Sequence, residues 1–565
     1  MHLEIVCEKD MLFSYKSKKY FGFIILGCLF IFMLSRAKYG YIYNDEPFIL
    51  TLGHRFMKGD LILWDEWHPT QMTGYLNYLL TSIYFMFFST TDGMILNFRY
   101  ISIAIWFAIL LVVYWRFSKF SKQPLIAAVA CSYLLLFSSM DIMTVSYNLY
   151  SLSGILLCFT FIATGNTYWE YFLAGVFFSV ATLASPYLSI IFILYYISFA
   201  ITKWILKKNI SKKWNDVTLY VLYGVLVSVF LFFGFFFVHG GTFDKLFKTI
   251  KYIFSDEDYP ARTFVQIFRG YLGTAFLTFY YFAIILLITY LIPFIFKQSK
   301  LKWFEIHCIL FAVLIHWMVW HYHYITTMNK QMVQITFLGF HALLLDKSRN
   351  KIYTALYFIG MLFSIVLYCT SDLHVIAISM ALSISGFASF FLIFDYLDKN
   401  ENKKCIKKIL IIAIVIAQIW SQMFLRKQKY YFDWSVRIDP HYEITDSVAK
   451  GIYAPKDKYN EYYEIYEDIE RYIPKGAKLC SISQKPWIYL ANDSIYCTCS
   501  SWMSEDKDYK IKRLKEFYNL HPEKIPEYVY IMKKDFEEDY ITELFTNYEV
   551  IEGKNAYILK LNLGS

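Results

Sequence analysis

"FGFIILGCLFIFML" (residues 21–34) is followed closely by "GYIYNDEPFILTLGHRF" (residues 40–56), and this junction decides the fold. The first stretch contains no charged residue and lies in an apolar run over 20–36, long enough to cross a bilayer as a helix. The second stretch places two adjacent carboxylates, Asp45 and Glu46, where that run ends. The junction therefore predicts a membrane span that delivers paired acids to one face of the membrane.

The composition of the whole chain agrees with a membrane protein. Of its 565 residues, 57% are hydrophobic and 18% are charged, against about 25% charged in a typical soluble protein. Mean hydropathy is +0.38. The net charge of +9 does not indicate nucleic-acid binding, because the basic residues lie between apolar runs, where membrane topology explains them.

The apolar runs predict an α-helical polytopic membrane protein with about 13 transmembrane helices. The spans are expected near 20–36, 99–116, 124–140, 150–164, 168–184, 186–203, 216–238, 271–296, 303–320, 330–346, 352–370, 375–396 and 409–425. With a cytoplasmic N-terminus, most inside loops are basic, as in "KWILKKNISKK" and "KNENKKCIKK". The positive-inside rule then puts the first outer loop, 37–98, and the C-terminal region outside the cytoplasm.

The apolar segment 73–90, "TGYLNYLLTSIYFMFFST", is a special case. Counting it as a span would reverse every later loop and place the basic loops outside. We therefore interpret it as an interfacial helix, which its many Tyr and Phe residues suit.

The chain divides into a transmembrane domain, 1–425, and an extracytoplasmic domain, 426–565. In the second domain, strands are predicted at 477–483, 527–533 and 555–562, and helices at 507–520 and 534–545, which suggests a small α/β domain. A disulfide between Cys480 and Cys497 is compatible with the spacing, which does not establish it.

Charged residues are rare within the spans and gather at their outer ends. The first outer loop carries Asp45, Glu46 and His68, Arg99 opens the second span, Asp141 follows the third, and Lys330 begins the tenth. Pumps and ion-coupled transporters instead keep ionisable groups at membrane depth. The distribution thus predicts a reaction at the outer face.

Four features together resemble the GT-C superfamily of membrane glycosyltransferases. "YNDEPF" (43–48) follows the first span, and "DEWHPTQMTGYL" (65–76) introduces a helix about twenty residues later. An Arg at the mouth of the next span and an Asp after the third complete the pattern. The chain is similar in particular to protein O-mannosyltransferases and to the transferases that attach aminoarabinose to lipid A. It departs from them in "HPT" (68–70), where they often carry a double Pro, and in "ASPYL" (184–188), where aminoarabinose-type enzymes often have a Lys.

The resemblance implies transfer of a sugar, a hexose or a pentose, from a polyprenyl-phosphate donor to an acceptor hydroxyl, with inversion. The hydroxyl needs a general base, and the lipid phosphate that leaves needs cations. We expect Asp45 to be the base and Glu46 to orient the site or to pair with Arg99. Asp141 would position the acceptor or a metal. The expected donor-phosphate ligands are Arg99, Lys330, Arg262, Arg269 and His68.

Two other functions remain open at this stage. An envelope-polysaccharide polymerase or ligase would depend on basic groups in later loops such as 239–270, and a lipid-linked-oligosaccharide transporter would line its cavity with charges. The sequence requires no cofactor, although two acids at one site could hold a divalent cation. The expected partners are the lipid-linked donor, a glycan, lipid or protein acceptor in the cell envelope, and membrane lipid. The expected location is the plasma membrane.

Overall fold

A computed structural model shows a bundle of apolar helices capped at one end by an α/β domain. It describes residues 15–42, 44–137, 144–206, 211–253, 263–273, 324–346, 348–370, 379–399, 418–424, 442–503 and 506–562. A few single residues and short pieces between 284 and 313 and at 415 are also described.

The bundle contains these helices: α1 (Tyr15–Arg36), α2 (Asp45–Met57), α3 (Gly74–Phe87), α4 (Met94–Ser121), α5 (Pro124–Leu136), α6 (Tyr147–Thr164), α7 (Tyr168–Ala184), α8 (Ser189–Ala200), α9 (Lys212–Val238), α10 (Phe243–Ile253), α11 (Tyr324–Leu345), α12 (Lys351–Thr370) and α13 (Ser383–Lys399). Within the described residues, six helical stretches are long and apolar enough to span a membrane: Tyr15–Arg36, Met94–Ser121, Tyr147–Thr164, Pro186–Ile205, Lys212–Val238 and Lys351–Thr370. The chain is thus a multi-pass helical membrane protein. The count of thirteen stays a prediction, since most of 271–296, 303–320 and 409–425 lies outside the described residues.

Helix α3 corresponds to the predicted interfacial segment. Its 14 residues extend over about 21 Å, less than the ~30 Å hydrocarbon core. One face, with Asn77 and Thr81, is buried, and the other exposes Ile83, Met86 and Phe87. This length and this two-sided character suit a helix that lies along the membrane surface.

The C-terminal part contains two sheets and four helices: β1 (Tyr442–Glu443), β2 (Tyr453–Ala454), α14 (Lys456–Tyr472), β3 (Lys478–Ile482), α15 (Trp487–Ala491), β4 (Ile495–Tyr496), α16 (Lys507–Leu520), β5 (Tyr528–Met532), α17 (Glu538–Glu543), β6 (Tyr548–Glu552) and β7 (Ala556–Leu561). The larger sheet has the order β4-β3-β5-β7-β6. Strand β3 is parallel to β4 and β5, whereas β7 is antiparallel to β5 and β6. The three predicted strands are present, and the buried Cys480 and Cys497 are free thiols rather than a disulfide.

The first outer loop and the C-terminal sheets are joined through the backbone. Gly40 N–H donates to the Tyr453 carbonyl at 2.9 Å, and Tyr453 N–H donates to the Lys38 carbonyl at 2.8 Å. Gly93 N–H, at the other end of the loop, donates to the Ser447 carbonyl at 2.9 Å. The loop that carries the paired acids is therefore clamped against the C-terminal part at both ends.

Candidate active site

Helix α2 begins at Asp45 and is buried over most of its length, from Glu46 to Phe56. It packs closely on α3, where a Cβ atom added at Gly53 would lie 2.8 Å from the Asn77 carbonyl oxygen. The Asn77 side chain donates to the Ile49 carbonyl at 3.1 Å and accepts from the Tyr150 hydroxyl at 2.8 Å. These contacts fix α2 between the interfacial helix and the start of α6.

Glu46 and Arg99 form a buried bidentate ion pair. The Arg99 Nε and Nη2 atoms each donate to a Glu46 carboxylate oxygen at 2.6 Å, and Nη1 donates to the Ala37 carbonyl at 2.7 Å. Glu46 is 1% exposed and Arg99 is 0% exposed. The parallel N–H···O bonds are the fork geometry that makes Arg–carboxylate pairs strong and directional. The pair ties the ends of α1, α2 and α4 together.

Asp45 differs from its neighbour because it is only partly buried. Successive residues of a helix point about 100° apart, so Glu46 can turn into the protein while Asp45 stays accessible. Asp45 also lies in the first turn of α2, where the helix dipole favours a negative charge. The two adjacent acids thus occupy different environments.

A second buried cluster surrounds Arg55, one helix length from the acids. Arg55 Nε donates to Asp60 at 2.7 Å, Nη1 contacts Glu66, and Nη2 donates to the Asp65 carbonyl at 2.8 Å and the Thr498 carbonyl at 3.0 Å. Every donor nitrogen of this guanidinium is engaged, as burial requires.

The C-terminal part completes the Arg55 cluster with one lysine and one histidine. Lys524 contacts the carboxylate of Asp60, and the ring of His521 lies 3.4 Å from Asp65. Arg55 and Lys524 face three acids, so the cluster carries one excess negative charge when all are ionised. Burial, followed by repulsion from Asp60, raises the pKa of Asp65 to about 6.

His68 lies beside α2 and is neutral at physiological pH. Its ring centroid is 4.7 Å from that of Phe48, one turn along from Asp45. The Thr70 amide lies 3.2 Å from Nδ1 of His68 and donates to it, so the ring proton belongs on Nε2. Burial lowers the pKa of His68 to about 4. An uncharged imidazole can donate a hydrogen bond to a phosphate but supplies no full positive charge.

His54 connects α2 to the C-terminal part on the other side. Its Nδ1 lies 2.9 Å from the Tyr496 hydroxyl and its Nε2 lies 2.9 Å from the Asp493 carboxylate, which also pairs with Lys58 at 2.8 Å. Burial lowers the pKa of His54 despite the hydrogen bond that its Nε2–H donates to Asp493. Burial alone would raise the pKa of Asp493, but the hydrogen bonds from His54 and Lys58 outweigh it and lower that pKa to about 2.

The remaining predicted residues occupy other elements. Lys330 is half-buried in α11, next to Gln331, whose amide donates to Ser421 at 2.9 Å. Arg269 is exposed in the helical segment 264–273. Asp141 and Arg262 lie outside the described residues. Glu46 and Arg99 are therefore in direct contact, and His68 packs on Phe48 of the same helix. The catalytic and phosphate-binding roles of all the predicted residues stay predictions.

No group of three or more His, Cys, Asp or Glu side chains in the described part of the chain is arranged to hold a metal ion.

Several residues that shape the site were not predicted as site residues. Arg55, Asp60, Asp65 and Glu66 were visible only as a concentration of charge in the first outer loop. The sequence gives no indication that Thr498, His521 and Lys524 contribute to this cluster, because they lie more than 400 residues after the first outer loop.

Comparison with known proteins gives a match at the level of structure only. No protein-family description matches the chain, and no curated protein is similar enough in sequence to match. The chain resembles ArnT. The crystal structure of ArnT from Cupriavidus metallidurans bound to undecaprenyl phosphate aligns with 95% of this chain and 97% of its own, at 10% identity and a TM-score of 0.43. The apo structure of ArnT from the same organism gives the same identity and TM-score over 96% of this chain and 98% of its own.

The ArnT matches assign no family to this chain. At this identity and TM-score the similarity concerns the layout of the chain and assigns no residue. The roles proposed below rest on the contacts of this protein.

Proposed function

We propose that the protein is a GT-C type glycosyltransferase that transfers a sugar from a polyprenyl-phosphate donor to an acceptor hydroxyl at the outer membrane face. The proposal rests on the different environments of the two adjacent acids, Asp45 and Glu46. Glu46 is neutralised by Arg99 in the protein interior, whereas Asp45 stays partly exposed at the start of the same helix. An accessible carboxylate held on a rigid helix is what a general base requires.

In the proposed reaction, Asp45 accepts the proton of the acceptor hydroxyl as its oxygen attacks the anomeric carbon. The bond from that carbon to the phosphate oxygen breaks, and the lipid phosphate leaves with the electron pair. A single in-line displacement inverts the anomeric centre. Glu46 and Arg99 position Asp45 and do not touch the reacting atoms.

The departing phosphate needs positive charge or hydrogen-bond donors. Lys330, Arg262 and Arg269 are the proposed cations, and Nε2 of His68 is a proposed donor. In this structure Arg99 uses three N–H groups for Glu46 and Ala37. We therefore assign Arg99 a positioning role in place of the phosphate contact expected from the sequence. Asp141 is proposed to position the acceptor or a divalent cation.

The ArnT structure with undecaprenyl phosphate agrees with a polyprenyl-phosphate donor, and the surrounding spans would supply an apolar path for its tail. The acceptor is proposed to be a glycan, lipid or protein of the cell envelope. The N-terminus is proposed to be cytoplasmic and the region after 426 extracytoplasmic.

The proposal is tested by Asp45→Asn, with Asp92→Asn as a matched control. Asp92 is an exposed acid of the same outer loop, so its loss removes an equal charge. Cells lacking the protein are complemented with each variant, and envelope glycans and polyprenyl-phosphate sugars are measured by mass spectrometry. We expect Asp45→Asn to lower product formation roughly 100-fold or more and to let one lipid-linked sugar accumulate.

Normal product levels with a membrane-inserted Asp45→Asn variant would refute Asp45 as the base. If substitution of basic residues in 239–270 abolished a polymer while Asp45→Asn did not, the polymerase alternative would replace this proposal.

A further inference from the structure

An apolar cavity of about 500 Å³ lies within the bundle, and no residue of α2 lines it. Its walls come from the last turns of α6, Phe178 of α7, most of α8, the first turns of α9 and the first three turns of α12. Helix α6 begins beside Asn77 of the interfacial helix, and its 18 residues cover about 27 Å. The cavity therefore lies in the half of the bundle opposite the C-terminal part, which the topology predicts to be the cytoplasmic leaflet.

The cavity wall is almost entirely hydrocarbon. Ile162, Phe192, Leu356 and Ile359 contribute to it, and the Tyr195 hydroxyl is paired with Thr218 at 2.7 Å. Its volume falls within the range of small-molecule sites. From Lys351 to Leu362 the wall follows α12 for about 16 Å. The space is thus elongated along the membrane normal.

Among the described residues that line this wall, Lys351 is the only charged one. It is exposed and is the first residue of α12, where the helix N-terminus adds positive partial charge. Exposed Lys212 and Lys213 begin α9 at the same face. Trp214, which also lines the cavity, is 50% exposed, as expected for an aromatic residue at the membrane interface.

We propose that this cavity binds one acyl chain of an anionic phospholipid, whose phosphate contacts Lys351. A cation at the mouth of a long apolar space matches a lipid with an anionic headgroup and a hydrocarbon tail. Leu194, which lines the cavity and is 47% exposed, lies where a chain can enter from the bilayer. The site is separate from the proposed reaction and does not depend on it.

The occupant is not the sugar donor. The phosphate of that lipid would lie near Asp45 and Glu46, at the opposite end of the bundle. A phosphate at Lys351 belongs to a lipid of the other leaflet.

The test uses the full-length protein in detergent and native mass spectrometry with dioleoyl phosphatidylglycerol or dioleoyl phosphatidylcholine. Ala355→Trp fills the cavity from its own wall, and Phe358→Trp is the matched control, because Phe358 is 51% exposed on the same helix. Lys351→Ala removes the headgroup contact, and Lys119→Ala removes an exposed lysine at the same face.

We expect the wild-type protein to retain one phosphatidylglycerol in preference to phosphatidylcholine, and Ala355→Trp to lose it. Lys351→Ala should weaken phosphatidylglycerol binding about fivefold, equivalent to ~1 kcal/mol, while leaving phosphatidylcholine unaffected. Both controls should behave as wild type.

Equal retention of the two lipids by the wild-type protein would overturn the proposal, as would undiminished phosphatidylglycerol on a monodisperse Ala355→Trp. Displacement of phosphatidylglycerol by equimolar undecaprenyl phosphate would assign the cavity to the donor tail instead. If Ala355→Trp does not fold, the Lys351→Ala comparison decides alone.

Discussion

The ion pair between Glu46 and Arg99 gives the most direct test of how the site is held. Both side chains are buried, and the carboxylate takes two hydrogen bonds from the guanidinium. Removing one partner of such a pair leaves an uncompensated charge in the protein and costs about 3–5 kcal/mol. We therefore expect Glu46→Gln and Arg99→Met each to lower the free energy of unfolding by roughly this amount.

The double variant Glu46→Gln/Arg99→Met should be far less unstable than the sum of the single variants. It removes both charges, and what remains is the Ala37 carbonyl without its donor, a loss of about 1–3 kcal/mol. The coupling energy should therefore be at least ~3 kcal/mol, at the upper end for residues in contact.

The assay is reversible unfolding of the purified protein in mixed micelles, followed by intrinsic fluorescence, for the wild type and three variants. The control is Lys248→Ala, which breaks the exposed pair between Lys248 and Asp244; exposed pairs are worth about 0–1 kcal/mol. Additive losses in the double variant would refute the reasoning, because they would mean that the two side chains do not sense each other.

Two further predictions concern pH and packing. Burial lowers the pKa values of His68 and His521 to about 4. As pH falls, these histidines therefore take up protons in the unfolded chain before they do so in the folded protein. Each histidine then lowers the free energy of unfolding by up to ~3 kcal/mol between about pH 6.5 and 4. Asp65, with its pKa raised to about 6, acts in the opposite direction, so the net loss of stability is smaller than the sum of the two histidine contributions. A series of unfolding midpoints at different pH values measures this loss. An undiminished loss in His68→Gln would contradict the assignment. Gly53→Ala should destabilise the protein by about 1–3 kcal/mol, because the new Cβ atom would meet the α3 backbone. The control Gly234→Ala has open space around it and should be neutral or stabilising. Equal melting temperatures for the two variants would contradict this packing.

Much of the architecture could be predicted from the sequence, because long apolar runs and short strand-forming segments are local patterns. The apolar run before Asp45, the helix that begins at Gly74 and the strand at Lys478–Ile482 each depend on neighbouring residues alone. The pairing of Glu46 with Arg99 could be anticipated because both lie at the outer ends of predicted spans.

The Arg55 cluster could not be predicted, since the contact with Thr498 joins residues 443 positions apart. No periodicity or motif marks Lys524 as the partner of Asp60. For Arg99 the sequence predicts two roles, a pair with Glu46 and a contact with the donor phosphate, and the second stays a prediction. Sequence position suggested a phosphate ligand, whereas the observed hydrogen bonds direct its guanidinium to Glu46 and the Ala37 carbonyl.

The separation of Arg55 from its C-terminal partners has a consequence for biogenesis. At a synthesis rate of about 5–20 residues per second, the ribosome reaches Thr498 roughly 20–90 s after Arg55. During that interval the first loop, already delivered to the membrane surface, holds three acids against one arginine. The nascent protein therefore completes the Arg55 cluster only after Lys524, which contacts Asp60, has been synthesised.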